Sequence, residues 1–354
     1  MLAGKSERRW CTERFACEVK RATERGKTAS SSSIPVGQKS RELARIFAMY
    51  LRGVFDRTTV DGVIADVVDY ERQLIVHTGR GLRDARVLEI GYGARPLRLF
   101  AALAFGADIT GIDLDAPMLA GSPREIIEMW RRNGAERAIK SVMRFTLFDL
   151  LERRFLAQAL QKRGLKLSVD RGRLLVGDAA SLELPPVSFE LVYSEDVFEH
   201  MPENSIRCLL PKLAGWLDPN GFCLIRPNIF PGITGGHLTD WFTRAEVNAC
   251  RKRKAEPWEH LRKRRFMPTG YLNGLTRAQY RELFSVDFEI LEERVRYPNL
   301  GRQHLTEEVA GELSGFGEEE LFSNQVQFVL KPRQGRSPSR RHSRIQNSRD
   351  KRCL

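Results

Sequence analysis

Five short runs of β-branched and aliphatic residues constrain this chain most: Val87–Ile90, Ile109–Ile112, Leu174–Val176, Phe189–Tyr193 and Phe222–Arg226. Helical repeats separate most of them. After the first run, Leu97, Phe100, Ala101 and Ala104 recur at helical spacing; before the fifth, Ile206, Leu209, Leu210, Leu213 and Leu217 do the same, ending at the turn signal "DPNG". Short β-branched runs alternating with helices predict a parallel sheet with helices on both faces. "FEILEERVRY" and "NQVQFVLKP" add two strand candidates near the C-terminus.

Upstream, "RELARIFAMYL" carries Leu43, Ile46, Phe47 and Tyr50 on one helical stripe. "VDGVIADVVDYERQLIVH" predicts another helix, with Val60, Ile64, Val67, Val68 and Ile75 on its apolar face. Two long segments interrupt the rhythm. Residues 119–172 hold the amphipathic stretches "REIIEMWRRNG" and "FTLFDLLERRFLAQALQKRG"; residues 230–287 are irregular and rich in Trp, His and Arg. Ligands in open α/β sheets sit beyond the carboxyl ends of the strands, so insertions leaving those ends are expected to cap a pocket.

The net charge of +13 suggests a polyanionic partner until it is located. Residues 1–40 contribute +5 and residues 331–354 contribute +8, so the stretch between them is formally neutral. A nucleic-acid enzyme more often carries its basic stripe on the folded domain. We therefore expect solvated, disordered basic ends over 1–38 and 332–354, flanking one domain over 39–331. "RKRKAEPWEHLRKRRF", Arg251 to Phe266, is expected to be a charged, solvated helix. Six scattered cysteines without a C-x-x-C pair suggest neither zinc nor a disulfide framework. No apolar run reaches the roughly 20 residues that span a bilayer, and no secretory leader is evident, so the expected location is cytoplasmic.

The chemistry concentrates at strand ends. "VLEIGYG" turns from the first strand into a helix through Gly91 and Gly93, where a bent backbone and a helix N-terminus suit close approach to a ligand. The second strand ends at Asp113, 22 residues beyond Gly91, where a carboxylate can accept from paired ribose hydroxyls; Asp115 is expected to cap a following helix. Asp178 ends the third strand and is placed to accept an adenine amine, with Ala179 packing beside the ring. The fourth strand runs into the polar cluster "SEDVFEHM". His200 and, in "TGGHLTDWF", His237 are candidate general bases. A third glycine is missing, since Pro96 stands where the dinucleotide fingerprint has one, which disfavours a nicotinamide oxidoreductase.

The ordered set "VLEIGYG", "GIDLD", "GDAASL", "FELVYSEDVFEHM" and "LDPNGFCLIRPN" resembles the class I S-adenosylmethionine-dependent methyltransferases, and within them the branch acting on small molecules. The resemblance runs from about Arg86 to Asn228. It implies a Rossmann-like α/β fold: seven strands, mostly parallel with one antiparallel strand, helices on both faces, and helical insertions capping the active site. It further implies that Gly91 and Gly93 face the methionine part of S-adenosylmethionine with Glu89 supporting their loop, that Asp113 holds the ribose and Asp178 the adenine, and that Ser194 lies under the methionine end. Arg95 departs from the family's small residues, and approach to the cofactor carboxylate or to solvent are both open. Asp196, Glu199 and His200 form D-x-x-E-H, similar to the E-x-x-E-H group with which ubiquinone-pathway O-methyltransferases bind a divalent cation. A structural role for these residues is preferred over metal binding. The implied reaction is methyl transfer to a small-molecule acceptor, oxygen before nitrogen or carbon. The competing readings are an RNA or protein methyltransferase that uses the basic ends and a cofactor-binding protein without turnover.

Overall fold

A computed structural model describes residues 57–185, 189–249, 252–266 and 270–333. The helix expected over "RELARIFAMYL" and nearly all of both basic ends lie outside the described residues. The described chain begins with α1 (Thr58–Thr78), continues through β1 (Arg86–Ile90), α2 (Leu97–Ala104) and β2 (Asp108–Asp113), and then enters the first insertion. There α3 (Pro123–Asn133) and α4 (Ala135–Arg144) lead through a π-helical turn, Phe145–Asp149, into α5 (Leu150–Gln161). After β3 (Leu174–Val176) come β4 (Phe189–Glu195), α6 (Glu203–Trp216) and β5 (Leu217–Arg226). The second insertion contains α7 (Arg244–Asn248) and α8 (Arg277–Ser285), and β6 (Phe288–Val295), α9 (Glu307–Glu312), α10 (Glu318–Leu321) and β7 (Val326–Pro332) complete the fold.

The seven strands form one sheet in the order β3-β2-β1-β4-β5-β7-β6. Pairs from β3 through β5 are parallel, and β7 runs antiparallel to both β5 and β6. This agrees with the expected single reversed strand. Alternation along each strand sends successive side chains to opposite faces. Val87, Ile109, Leu191 and Leu224 pack with α1, α2 and α5, whereas Leu88, Val192, Cys223 and Ile225 pack with α6 and α8. Each fully buried Leu or Val on these faces contributes about 1.5–3 kcal/mol of hydrophobic stabilisation.

Three local expectations need correction. On α1 the buried face is Val60, Val63, Ile64, Val67, Tyr70 and Leu74, whereas Val68 and Ile75 are 45% and 53% exposed. A helix advances 100° per residue, so the stripe continues from Val67 to Tyr70 and Leu74 rather than through Val68 and Ile75. The "DPNG" turn lies inside β5, where the register jumps from Phe189 opposite Leu217 to Leu191 opposite Phe222. Asp218 accepts from the Asn220 amide at 3.1 Å and holds that irregularity. The described part of Arg251–Phe266 is a run of turns rather than a helix. Its Trp258 is fully buried, and Arg262, Lys263 and Arg265 pair with Glu256, Glu259 and Glu312 around it.

Candidate active site

Strand order reverses direction between β1 and β4: β2 and β3 lie to one side, β5, β7 and β6 to the other. A crevice opens beyond the carboxyl ends at such a point. The turn after β1 lines it. Gly91 and Gly93 have φ of 80° and 66°, a region that favours glycine. A Cβ on Gly91 would stand 2.2 Å from Cγ2 of Val197, so the loop after β4 is pressed against this turn; around a Cβ on Gly93 there is no atom within 4 Å. The Gly91 amide donates to the Ile112 carbonyl at 2.7 Å, joining the turn to β2.

Asp113, at the tip of β2, organises the turn. Its Oδ2 accepts from the Gly93 amide at 2.8 Å and its Oδ1 from the Asp115 amide at 3.0 Å. Asp115 itself caps no helix: the next one, α3, starts at Pro123, where Ser122 and Glu125 form a capping box. The sequence "SPRE" carries that signal in plain form. Tyr92, between the two glycines, is buried and donates to the Leu175 carbonyl at 3.1 Å. Asp178 accepts from the Ala180 amide and the Ser181 hydroxyl, at 3.0 and 2.9 Å, and Ala179 is buried beside it. Ser194, buried at the end of β4, donates to the Ile90 carbonyl at 2.9 Å. Glu89 is buried on β1 with Oε2 unpartnered, and burial pushes its carboxyl up to about 7. These residues fit a nucleoside-bearing cofactor: Gly93 leaves open space beside the turn, and acids stand at the tips of β2 and β3.

Arg95 takes neither of its expected directions. Its Nη1 donates to both carboxylate oxygens of Glu152 on α5, at 2.8 and 2.7 Å. This pair ties the first insertion to the Gly91–Gly93 turn across 57 residues. Arg153 adds hydrogen bonds to the Met118 and Leu119 carbonyls at 2.7 and 2.5 Å.

Beyond β4 a second cluster forms. Phe198–His200 is a single 3-10 turn, and His200 Nδ1 donates to the Tyr271 carbonyl at 3.0 Å, leaving Nε2 as its acceptor. The His200 and His237 rings meet edge to face at 5.0 Å. His237, held at φ 50°, presents an unpartnered Nε2 3.9 Å from Oε1 of Glu199. Burial, with His200 and His260 nearby, holds its pKa down at about 4. Glu199 is buried, accepts from the Asn228 amide nitrogen at 2.7 Å, and is pushed up to about 8 by burial and by Asp196. Glu199, His200 and His237 bring three ligand-type atoms within 4.8 Å of one another. Asp196 is not among them: its Oδ1 accepts from Asn228 and Gln325, at 2.9 and 2.6 Å. The D-x-x-E-H spacing therefore yields a different trio from the one expected, with His237 in place of Asp196.

Sequence reasoning missed the ion network beside this cluster. Arg226, fully buried on β5, pairs with Glu195 at 2.6 Å, with Asp66 at 3.4 Å and with Asp69. Tyr70 donates to Glu195 at 2.7 Å. Aspartates at positions 66 and 69 inside an apolar helical pattern were the available signal.

The methyltransferase domain family profile matches residues 88–225. No curated protein sequence matches the chain. Among solved structures it is similar to the PH0226 protein of Pyrococcus horikoshii OT3 at 14% identity, over 76% of this chain and 90% of that one, with a TM-score of 0.38. A putative S-adenosylmethionine-dependent methyltransferase of Listeria monocytogenes aligns at 14% identity over 74% and 97%, TM-score 0.39. Phosphoethanolamine N-methyltransferase 2 of Haemonchus contortus, in complex with S-adenosyl-L-methionine, aligns at 18% identity over 75% and 53%, TM-score 0.38. The match to a methyltransferase domain thus covers the strands and turns that form the crevice, from β1 through β5.

Proposed function

We propose that the enzyme methylates a hydroxyl oxygen of a small molecule, with His237 as the general base. The observation that carries this reading is the unpartnered Nε2 of a histidine kept neutral beside the end of β4. A hydroxyl gains nucleophilicity as its proton leaves, and a positioned imidazole supplies about 10²–10⁴-fold. S-adenosylmethionine brings an activated methyl group on a sulfonium, so alignment of the acceptor accounts for much of the remaining rate. In this reading the amides and open space of the Gly91–Gly93 turn face the methionine part. Asp113 holds the ribose, Asp178 and Ala179 hold the adenine, and Glu89 and Ser194 support the floor. His237 Nε2 takes the acceptor's proton while His200, fixed by the Tyr271 carbonyl, positions the ring.

The acceptor is found by incubating metabolite extracts with enzyme and methyl-labelled S-adenosylmethionine and fragmenting the labelled product by mass spectrometry. An O-methylated product is expected. His237→Gln should lower kcat about 10²–10⁴-fold with cofactor affinity kept. A nitrogen- or carbon-methylated product, or a variant of wild-type rate, refutes the assignment.

A further inference from the structure

The first insertion turns an apolar and basic face outward that the methyl-transfer reading does not use. Trp130 on α3 is 59% exposed, and Ile139 and Met143 on α4 are 61% and 55% exposed. Ile127 precedes Trp130 by three residues. Leu147 and Leu150 continue the α4 stripe through the π-helical turn at the same spacing, and all three are exposed. Monomeric soluble proteins rarely leave large apolar side chains clustered on one element without a partner.

Charge on the same helices is sorted by side. Glu125, Asp149 and Glu152 are buried and paired with Arg171, Arg144 and Arg95. Glu128 is half-buried and also pairs with Arg171. Arg124, Arg131 and Arg154 are exposed. Among the described side chains of Pro123–Arg154, the outward ones other than Thr146 are thus apolar or basic, and no acid is fully exposed. That is the composition of a surface lying in the interfacial plane of an anionic membrane, with tryptophan and aliphatic side chains at the acyl boundary and arginines at the headgroups. A second copy of the chain is the poorer occupant, because a twofold contact would set these arginines against one another. No described helix is long and apolar enough to cross a membrane, so the contact is peripheral.

We propose that the outward face of α3, α4 and the start of α5 docks the enzyme on an anionic lipid surface. The proposal does not depend on which atom is methylated. Because Arg95 and Glu152 tie α5 to the cofactor turn, the docked face and the crevice belong to one braced unit.

The test uses the full chain carrying Trp10→Phe, which leaves Trp130 as the exposed tryptophan, since Trp216, Trp241 and Trp258 are buried. Co-sedimentation is expected with vesicles of phosphatidylcholine and phosphatidylglycerol, and little with phosphatidylcholine alone. Dibrominated acyl chains should quench the tryptophan emission, and a further Trp130→Phe should remove that quenching. Arg124→Gln with Arg131→Gln should weaken partitioning about 25-fold, roughly fivefold per charge near the surface. Absence of co-sedimentation overturns the proposal. So does sedimentation without Trp130 quenching, which would assign lipid binding to the basic ends. Shielding of Trp130 from acrylamide without vesicles also overturns it, whether light scattering shows a dimer or a monomer covered by its own chain.

Discussion

The two glycines of the turn after β1 should respond differently to the same added methyl group. Both sit at positive φ, so alanine at either costs about 1–2 kcal/mol of backbone strain. At Gly93 the cost stops there, because the new Cβ meets open space. At Gly91 the Cβ would stand 2.2 and 2.8 Å from the two methyl carbons of Val197, and overpacking of that kind adds about 1–3 kcal/mol. Gly91→Ala is therefore expected to lose roughly 2–5 kcal/mol and Gly93→Ala roughly 1–2 kcal/mol, measured from urea midpoints at constant m. Val197→Ala in the Gly91→Ala background should return much of the overlap cost, giving a favourable coupling of about 1–3 kcal/mol in the double-mutant cycle. Calorimetry should show the reverse order for S-adenosylmethionine: Gly93→Ala, nearly stable, loses at least tenfold in affinity because its methyl projects into the ligand's space. Equal stability losses with no coupling to Val197 would refute the close approach. Unchanged cofactor affinity in Gly93→Ala would refute the placement of the cleft.

Glu89 gives a pH test. Burial raises its folded pKa to about 7 from the usual 4.5, so the folded state binds the extra proton between those values. Stability from this group is full below about 4.5 and is lost as pH rises through 7, a change on the order of 3 kcal/mol. Glu89→Gln should match the wild type at pH 4 and exceed it at pH 8 in urea unfolding; parallel pH profiles would show that Glu89 is not buried as described. Arg226→Met removes the cation from three carboxylates, two of them buried, and should cost about 3–5 kcal/mol. A midpoint within error of the wild type would show that the Arg226 pairs add nothing to the hold of α1 on the sheet.

The parallel strands were legible because each is a short run rich in β-branched and aliphatic residues, the composition a sheet buried on both faces demands. Val87, Ile109, Leu191 and Ile225 could scarcely have gone elsewhere. What escaped the sequence was pairing at a distance. Nothing local marks Arg95 as the partner of Glu152 or Asp66 as the partner of Arg226, since the chain brings them together only through the finished sheet. Charge runs misled for the same reason: Arg262, Lys263 and Arg265 suggest a solvated helix, yet their partners and the buried Trp258 fold the segment into turns. His237 was singled out from its surroundings in the sequence, but its proximity to Glu199 arises from a loop returning after β5.

The placement of β7 has a consequence for synthesis. Strand β5 is complete at Arg226, but its antiparallel neighbour starts only at Val326, and β6, made in between, can join the sheet only through β7. At about 5–20 residues per second, a ribosome needs roughly 5–20 s for the intervening hundred or so residues. Throughout that interval the edge of β5, carrying Cys223, Leu224 and Ile225, has unpaired backbone groups open to any passing strand. Newly made chains of this protein should therefore depend on a chaperone that shields strand edges, and slowing translation before Val326 should lower soluble yield.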